Sequence, residues 1–147
     1  MGKKHRSERM VSAGGAVYRI NDGRVEWVVC SRNYPTMHGL PKGTPESGET
    51  REQTAVREVR EETGLEVSIL DSLGHIEYSF IRKQDNVKCE KRVHFYLMEP
   101  IGGDFSLHDP EFDEVDWHSE NDVLKIMTYS DEVKVVEKAL KIAPRLT

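Results

Sequence analysis

Three observations predict an α+β fold. Segments rich in strand formers dominate the first two-thirds of the 147 residues. One punctuated helix interrupts them, and two further helix starts crowd the end. Strands and helices therefore do not alternate regularly, as they would in a chain of βαβ units.

The elements follow in order. Residues 11–20 (VSAGGAVYRI) and 25–30 (VEWVVC) read as strands, and Asn21-Asp22-Gly23 between them is a hairpin signal. Residues 31–49 hold three of the six prolines and three glycines, and read as mostly loop. Thr50 with Gln53 forms a capping box, and Gly64 supplies the stop, so a helix is predicted over about residues 51–63. Residues 66–80 are rich in β-formers with a break near Gly74. Gln84-Asp85-Asn86 reads as a turn, and residues 92–98 (RVHFYLM) and 115–118 as strands. Ser119 and Ser130 are candidate N-caps of two last helices. The final helix starts acidic and ends with Lys134, Lys138 and Lys141, in accord with its dipole.

The chain reads as a single domain over 10–147 behind a basic, flexible tail over 1–9 (MGKKHRSER). The tail lacks an apolar segment behind it, so it is no secretory signal. No run approaches the roughly 20 apolar residues that span a bilayer. A formal charge of −5 and a pI near 5.7 give no footprint for nonspecific nucleic-acid binding. Cys30 and Cys89 are too few for a disulfide framework or a zinc cluster, and fit a reducing, cytoplasmic setting.

The stretch REVREETG, residues 57–64, places Glu58, Glu61 and Glu62 on one helix. Glu58 and Glu62 are a like-charge i,i+4 pair, which costs about 0.2–0.5 kcal/mol. At about 100° per residue, with Glu58 at zero, Glu61 falls near −60° and Glu62 near +40°. Ala55, Val56 and Val59 fall between about +60° and +160°. The acids border the buried stripe and do not oppose it, which is where a cleft would lie. Two readings stay open at this level: a solvated acidic face relieved by Arg57 and Arg60, or an oxygen-ligand site for Mg²⁺ or Mn²⁺. The preceding loop, GTPESGE at 43–49, adds glycines that let backbone approach a ligand, and Glu49 near the positive end of the helix.

Together these residues resemble the signature of the Nudix hydrolases. The positions Gly43, Glu49, Arg57, Glu58, Val59, Glu61, Glu62, Gly64 and Leu65 match it throughout. The order of elements resembles that family's α/β/α sandwich with a mixed sheet. The resemblance implies a Mg²⁺-dependent hydrolysis, with Mn²⁺ as a substitute, of a nucleoside diphosphate linked to another group. It implies that Glu58, Glu61 and Glu62 are metal ligands, with Glu61 also a candidate base. It implies that the backbone carbonyl of Lys42 or Gly43 joins them, and that Arg57 orients a neighbouring glutamate, its charge suited to lowering that carboxylate's pKa.

Leu40-Pro41-Lys42-Gly43 resembles the entry to this box in dinucleoside polyphosphate hydrolases. By the same resemblance Lys42 and Lys91 are candidate phosphate contacts and Tyr78 a candidate base-stacking residue. In the tract Asp109–Trp117, Glu111 is the candidate extra ligand or base. His38-Gly39 stands where such relatives often have an aromatic residue. Modified nucleoside triphosphates, ADP-ribose and nucleotide sugars are the alternative substrates, and a non-catalytic nucleotide sensor is the alternative class. The expected partner is a nucleotide, with no membrane or stable nucleic-acid partner, on a monomer or homodimer.

Overall fold

The computed structural model describes residues 6–143. Strands β1 (Ser7–Asn21) and β2 (Arg24–Asn33) form an antiparallel hairpin. Its turn residues Asp22 and Gly23 have φ of 53° and 75°, as a two-residue type I′ turn requires. Of the residues read as a tail, 1–5 lie outside the described residues. Ser7, Glu8 and Arg9 are the first rungs of β1, opposite Lys88, Cys89 and Glu90.

The loop region carries two short strands, β3 (Thr36–Gly39) and β4 (Lys42–Gly43). Helix α1 spans Arg51–Thr63, as its punctuation predicts. Thr50 Oγ1 accepts from Gln53 N–H, the Gln53 side chain accepts from Thr50 N–H, and Gly64 sits at φ 82°. Strand β5 (Leu65–Arg82) is longer than expected. The break foreseen near Gly74 is one of three register shifts against β6 (Val87–Gly103), so the strand bends there without ending. β7 (Glu114–Ser119) leads into α2 (Glu120–Ile126), capped by Ser119 Oγ on Asp122 N–H. The last helix, α3 (Ser130–Ile142), is capped differently from the expectation. Tyr129 is the N-cap, its carbonyl takes the first N–H groups from Glu132 and Val133, and Ser130 is already helical.

The strands form one sheet in the order β3-β2-β1-β6-β5, with β4 added to β1 and β7 to β2. β1 and β6 are parallel and their other neighbours antiparallel, so the sheet is mixed. Each face carries its own core. On one, Val93, Phe95 and Leu97 pack with Val123 of α2 and Val135, Val136 and Ala139 of α3. On the other, Ala13, Val17, Tyr96 and Met98 pack with Ala55 and Val59 of α1. The result is the predicted α+β architecture, a mixed sheet between helical layers. No helix among the described residues is long and apolar enough to cross a membrane. Both cysteines are buried and unpaired.

Candidate active site

The site is built where β4, α1 and the loop between them meet. β4 is only Lys42-Gly43, held against β1 by the pairs Gly14–Lys42 and Ala13–Gly43. A Cβ added to Gly43 would overlap the Glu58 carboxylate. Glycine is thus required at this position by close approach rather than by φ. One helical turn on, Glu62 Oε2 accepts from the Lys42 backbone N–H at 3.1 Å. Two of the predicted acids therefore converge on one two-residue strand.

Arg57 organises the rest. Its Nε and Nη2 donate to both oxygens of Glu49, at 2.6 and 2.9 Å. Nη1 donates to Glu58 at 2.7 Å and to Glu61 at 3.1 Å, and Nη2 also reaches the Thr44 carbonyl at 2.9 Å. A planar guanidinium with five donors suits such a fan of carboxylates. The Arg57 side chain is 13% exposed, against 49% for Glu61, so Glu61 is the acid of this set that faces solvent.

The electrostatics separate the glutamates. The Arg57 hydrogen bond, with help from the Glu46 N–H, pulls Glu49 down to about 2. For Glu58 the net direction is upward, because burial outweighs the Arg57 hydrogen bond and charge. The expected lowering by Arg57 thus falls on Glu49. Glu62 is pushed up to about 8, first by burial and then by the charges of Glu58 and Glu111, against the Lys42 N–H bond. Among the described residues its carboxylate forms no ion pair, and the charge of Lys42 offsets its burial only in part, which is the environment a hard cation would relieve. The donor set of carboxylates and backbone carbonyl suits Mg²⁺ or Mn²⁺. Among the described residues no three acidic, imidazole or thiol groups are yet drawn together at metal-ligand spacing.

Glu111 enters from the loop before β7. Phe112 beside it is buried with Ala55 and Val59, and Asp113 N–H donates to the Ser31 carbonyl at 2.9 Å. The Glu111 side chain is exposed, 3.8 Å from Arg32. The expected substrate residues lie on the α3 side of the sheet. Tyr78 and Lys91 are register partners, and the charge of Lys42 acts on both. Lys91 is lowered chiefly by burial, then by Lys42. Tyr78 stacks beside Phe80 at 6.2 Å between centroids.

Sequence reasoning missed Glu132. It is 1% exposed, accepts from Leu40 N–H at 2.8 Å and from the Lys42 ammonium, and so ties the start of α3 to the strand that carries Gly43. The ammonium also lies 5.3 Å from the Tyr129 ring centre. A signal was present: Glu132, Val135, Val136 and Ala139 share one helical stripe, and an acid on an apolar stripe demands a partner.

A mixed sheet between helical layers, with a glutamate-rich helix clamped by one arginine against a Lys-Gly strand, is the arrangement that the resemblance in the sequence implies. The chain belongs to the Nudix family: the NUDIX domain model matches residues 9–139. It is similar to a Mycobacterium tuberculosis protein named as the mutator MutT4, with 39% identity covering 96% of this chain and 58% of that protein. It is 33% identical over 102 residues to an 8-oxo-(d)GTP phosphatase of Mycolicibacterium smegmatis, covering 69% of this chain and 30% of that protein. The chain thus spans little more than half the length of the first relative and under a third of the second. The crystal structure of C. elegans Ap4A hydrolase shares the fold, with TM-score 0.68 and 22% identity over 93% of this chain and all of that one. So does the NUDIX domain of Shewanella oneidensis NrtR, complexed with ADP ribose, with TM-score 0.67 and 17% identity over 91% of this chain and 88% of that one.

Proposed function

We propose that this chain is a Mg²⁺-dependent pyrophosphohydrolase that cleaves a nucleoside diphosphate linked to another group, with dinucleoside polyphosphates as its preferred substrates. The observation that carries the reading is the Arg57-centred fan of Glu49, Glu58 and Glu61 beside the Gly43–Glu58 contact. In this reading Glu58, Glu61, Glu62 and the Gly43 backbone carbonyl hold the cation, with Mn²⁺ as a substitute. When bound, a divalent cation neutralises charge developing on phosphate oxygens.

The chain's own residues do the remaining work. Arg57 fixes the directions of Glu58 and Glu61, so no reorganisation is needed when substrate arrives. Glu61, the exposed acid of the set, accepts the proton of a water attacking phosphorus, with Glu111 as the second candidate across the cleft. Lys42 and Lys91 place positive charge along a polyphosphate chain, and Tyr78 offers a face to a base. A second reading, hydrolysis of modified nucleoside triphosphates, draws support from the MutT4 and 8-oxo-(d)GTP phosphatase relatives.

The test is a substrate panel of diadenosine tetraphosphate, 8-oxo-dGTP, ATP and ADP-ribose, with and without Mg²⁺. Diadenosine tetraphosphate is expected to lead in kcat/KM. A lead of about tenfold by a triphosphate, about 1.4 kcal/mol, would favour the second reading. Glu62→Gln is expected to lose at least about 100-fold in kcat on any substrate while remaining folded. Wild-type turnover by that variant in Mg²⁺ would sink the metal assignment.

A further inference from the structure

Lys42 is held at both ends of its side chain. At the root, a Cβ added to Gly14 would overlap the Pro41 carbonyl and the Lys42 Cβ, so the stem lies against bare β1 backbone. At the tip, the ammonium donates to Glu132 Oε2 and lies 5.3 Å from the centre of the Tyr129 ring. The Lys42 backbone N–H meanwhile meets Glu62 Oε2 at 3.1 Å. One residue thus joins α1 through its backbone to α3 through its side chain.

The register fixes the side of the sheet. Lys42 pairs with Gly14, and Lys91 with Met10, two residues apart in phase with Ser12 and Ala16. Alternation places both lysines on the α3 side, with Val93 and Phe95. The charge of Lys42 acts on Lys91 and on Tyr78. Lys91 is partly buried and forms no ion pair among the described residues.

The Glu132 carboxylate does more than attach α3. A buried ion pair offsets its desolvation only with good geometry and with its remaining lone pairs satisfied. Here the second oxygen accepts from Leu40 N–H at 2.8 Å. Ties that bury no charge already join the same segments: His38 N–H donates to Thr128 Oγ1 at 2.8 Å, and Thr128 N–H to the His38 carbonyl at 3.0 Å. What the carboxylate adds is the direction of a charge. An ammonium has three donors, so one bond to Glu132 leaves two for another acceptor. A lysine stem that is fixed on folding loses no further rotamer freedom when a ligand arrives. We propose that Glu132 is a positioning residue, which holds the Lys42 ammonium beside Lys91 so that its free donors meet a phosphate of the substrate without reorganisation. This role rests on the proposed function, which makes the α3 face the polyphosphate site. Charge alone predicts the reverse effect, since removing an acid from beside two lysines would favour an anion.

The experiment measures binding of inorganic tripolyphosphate to the full chain by calorimetry, with divalent cations chelated so that no turnover is involved. Glu132→Gln keeps an acceptor for Leu40 N–H and removes the charge. It is expected to weaken tripolyphosphate about tenfold. Lys42→Met is expected to weaken it as much, and the double variant no further, because Glu132 acts only through Lys42. Thr128→Ala cuts another tie between the same segments and is expected to leave affinity within about twofold. With Mg²⁺ present, Glu132→Gln is expected to raise KM for diadenosine tetraphosphate about tenfold, with kcat within about threefold of wild type. Unchanged or tighter binding by Glu132→Gln, losses that multiply in the double variant, an equal loss in Thr128→Ala, or a fall in kcat at constant KM would each overturn the role. Absence of tripolyphosphate binding by the wild type would overturn it as well, while the catalytic reading is judged separately by the substrate panel with Mg²⁺.

Discussion

Replacing Glu132 by alanine tests whether the start of α3 holds the strand that frames the candidate active site. The carboxylate is 1% exposed and serves two donors, the Leu40 N–H and the Lys42 ammonium. Leu40 is itself only 4% exposed, so its N–H would be left without a partner, at a cost of about 1–3 kcal/mol. The Lys42 side chain is 22% exposed. Its unpaired charge would therefore cost less than the 3–5 kcal/mol of a fully buried pair, about 1–2 kcal/mol. Together these give about 3 kcal/mol, or roughly 6–12 °C in melting temperature for a domain of this size. Glu132→Gln keeps an acceptor for Leu40 and should lose about half as much. Thermal melts followed by circular dichroism, with urea melts for ΔG, read both variants. If Glu132→Ala melts within about 2 °C of wild type, the carboxylate does not hold Leu40 and Lys42 together, and the reasoning fails.

Four further outcomes follow from the same geometry. Glu62 lies at about 8 against an ordinary 4.5, so the folded state keeps a proton that the unfolded chain releases. Stability without divalent cations should then fall as pH rises from 4.5 to about 8, by roughly 3–5 kcal/mol, with Glu58 adding the same sign. Urea melts across that range should show a steep slope in wild type and a much shallower one in Glu62→Gln or with millimolar Mg²⁺; an equal slope in all three would refute it. Gly43→Ala should cost about 1–3 kcal/mol by driving Glu58 from its seat, and should lower kcat more than it raises KM; an unaltered kcat would show that the Glu58 seat is not needed. Tyr78→Ala should raise KM for diadenosine tetraphosphate about tenfold through lost stacking, and Lys91→Ala should weaken that substrate more than ATP; equal losses on both substrates would remove Lys91 from the far end of the chain.

What the sequence made legible was whatever local chemistry settles. Thr50, Gln53 and Gly64 fix α1 to the residue, because caps act within one turn of the backbone they satisfy. Asp22-Gly23 fixes the first hairpin for the same reason. The lengths of β1 and β6 were under-read, because many of their outer rungs are charged and rest on pairing across the sheet, as Ser7 with Lys88 and Ser79 with Glu90. Propensity does not register such pairing. Gly74 read as a break in this stretch, yet β5 passes through it as a bulge. In the site, the glutamate arc was visible from spacing. Glu132 could be seen as an acid on an apolar stripe, but its partners could not, because they are 90 residues or more distant in sequence and only the fold delivers them.

The crowding of like charges on α1 has a structural answer that spacing alone left open. Arg57 binds Glu49, Glu58 and Glu61 at once, so most of the repulsion is met within the chain. Glu62 is the exception. It stands on the far side of Glu58, takes a backbone N–H in place of a cation, and is burdened by the charges of Glu58 and Glu111. A helix that needed only a wet acidic face would have turned this residue outward at no cost. Instead the acid of this arc that forms no ion pair among the described residues is the one turned toward the Lys42-Gly43 strand. The electrostatic cost is therefore concentrated at one carboxylate, and under the proposed function that is where a divalent ion would gain most.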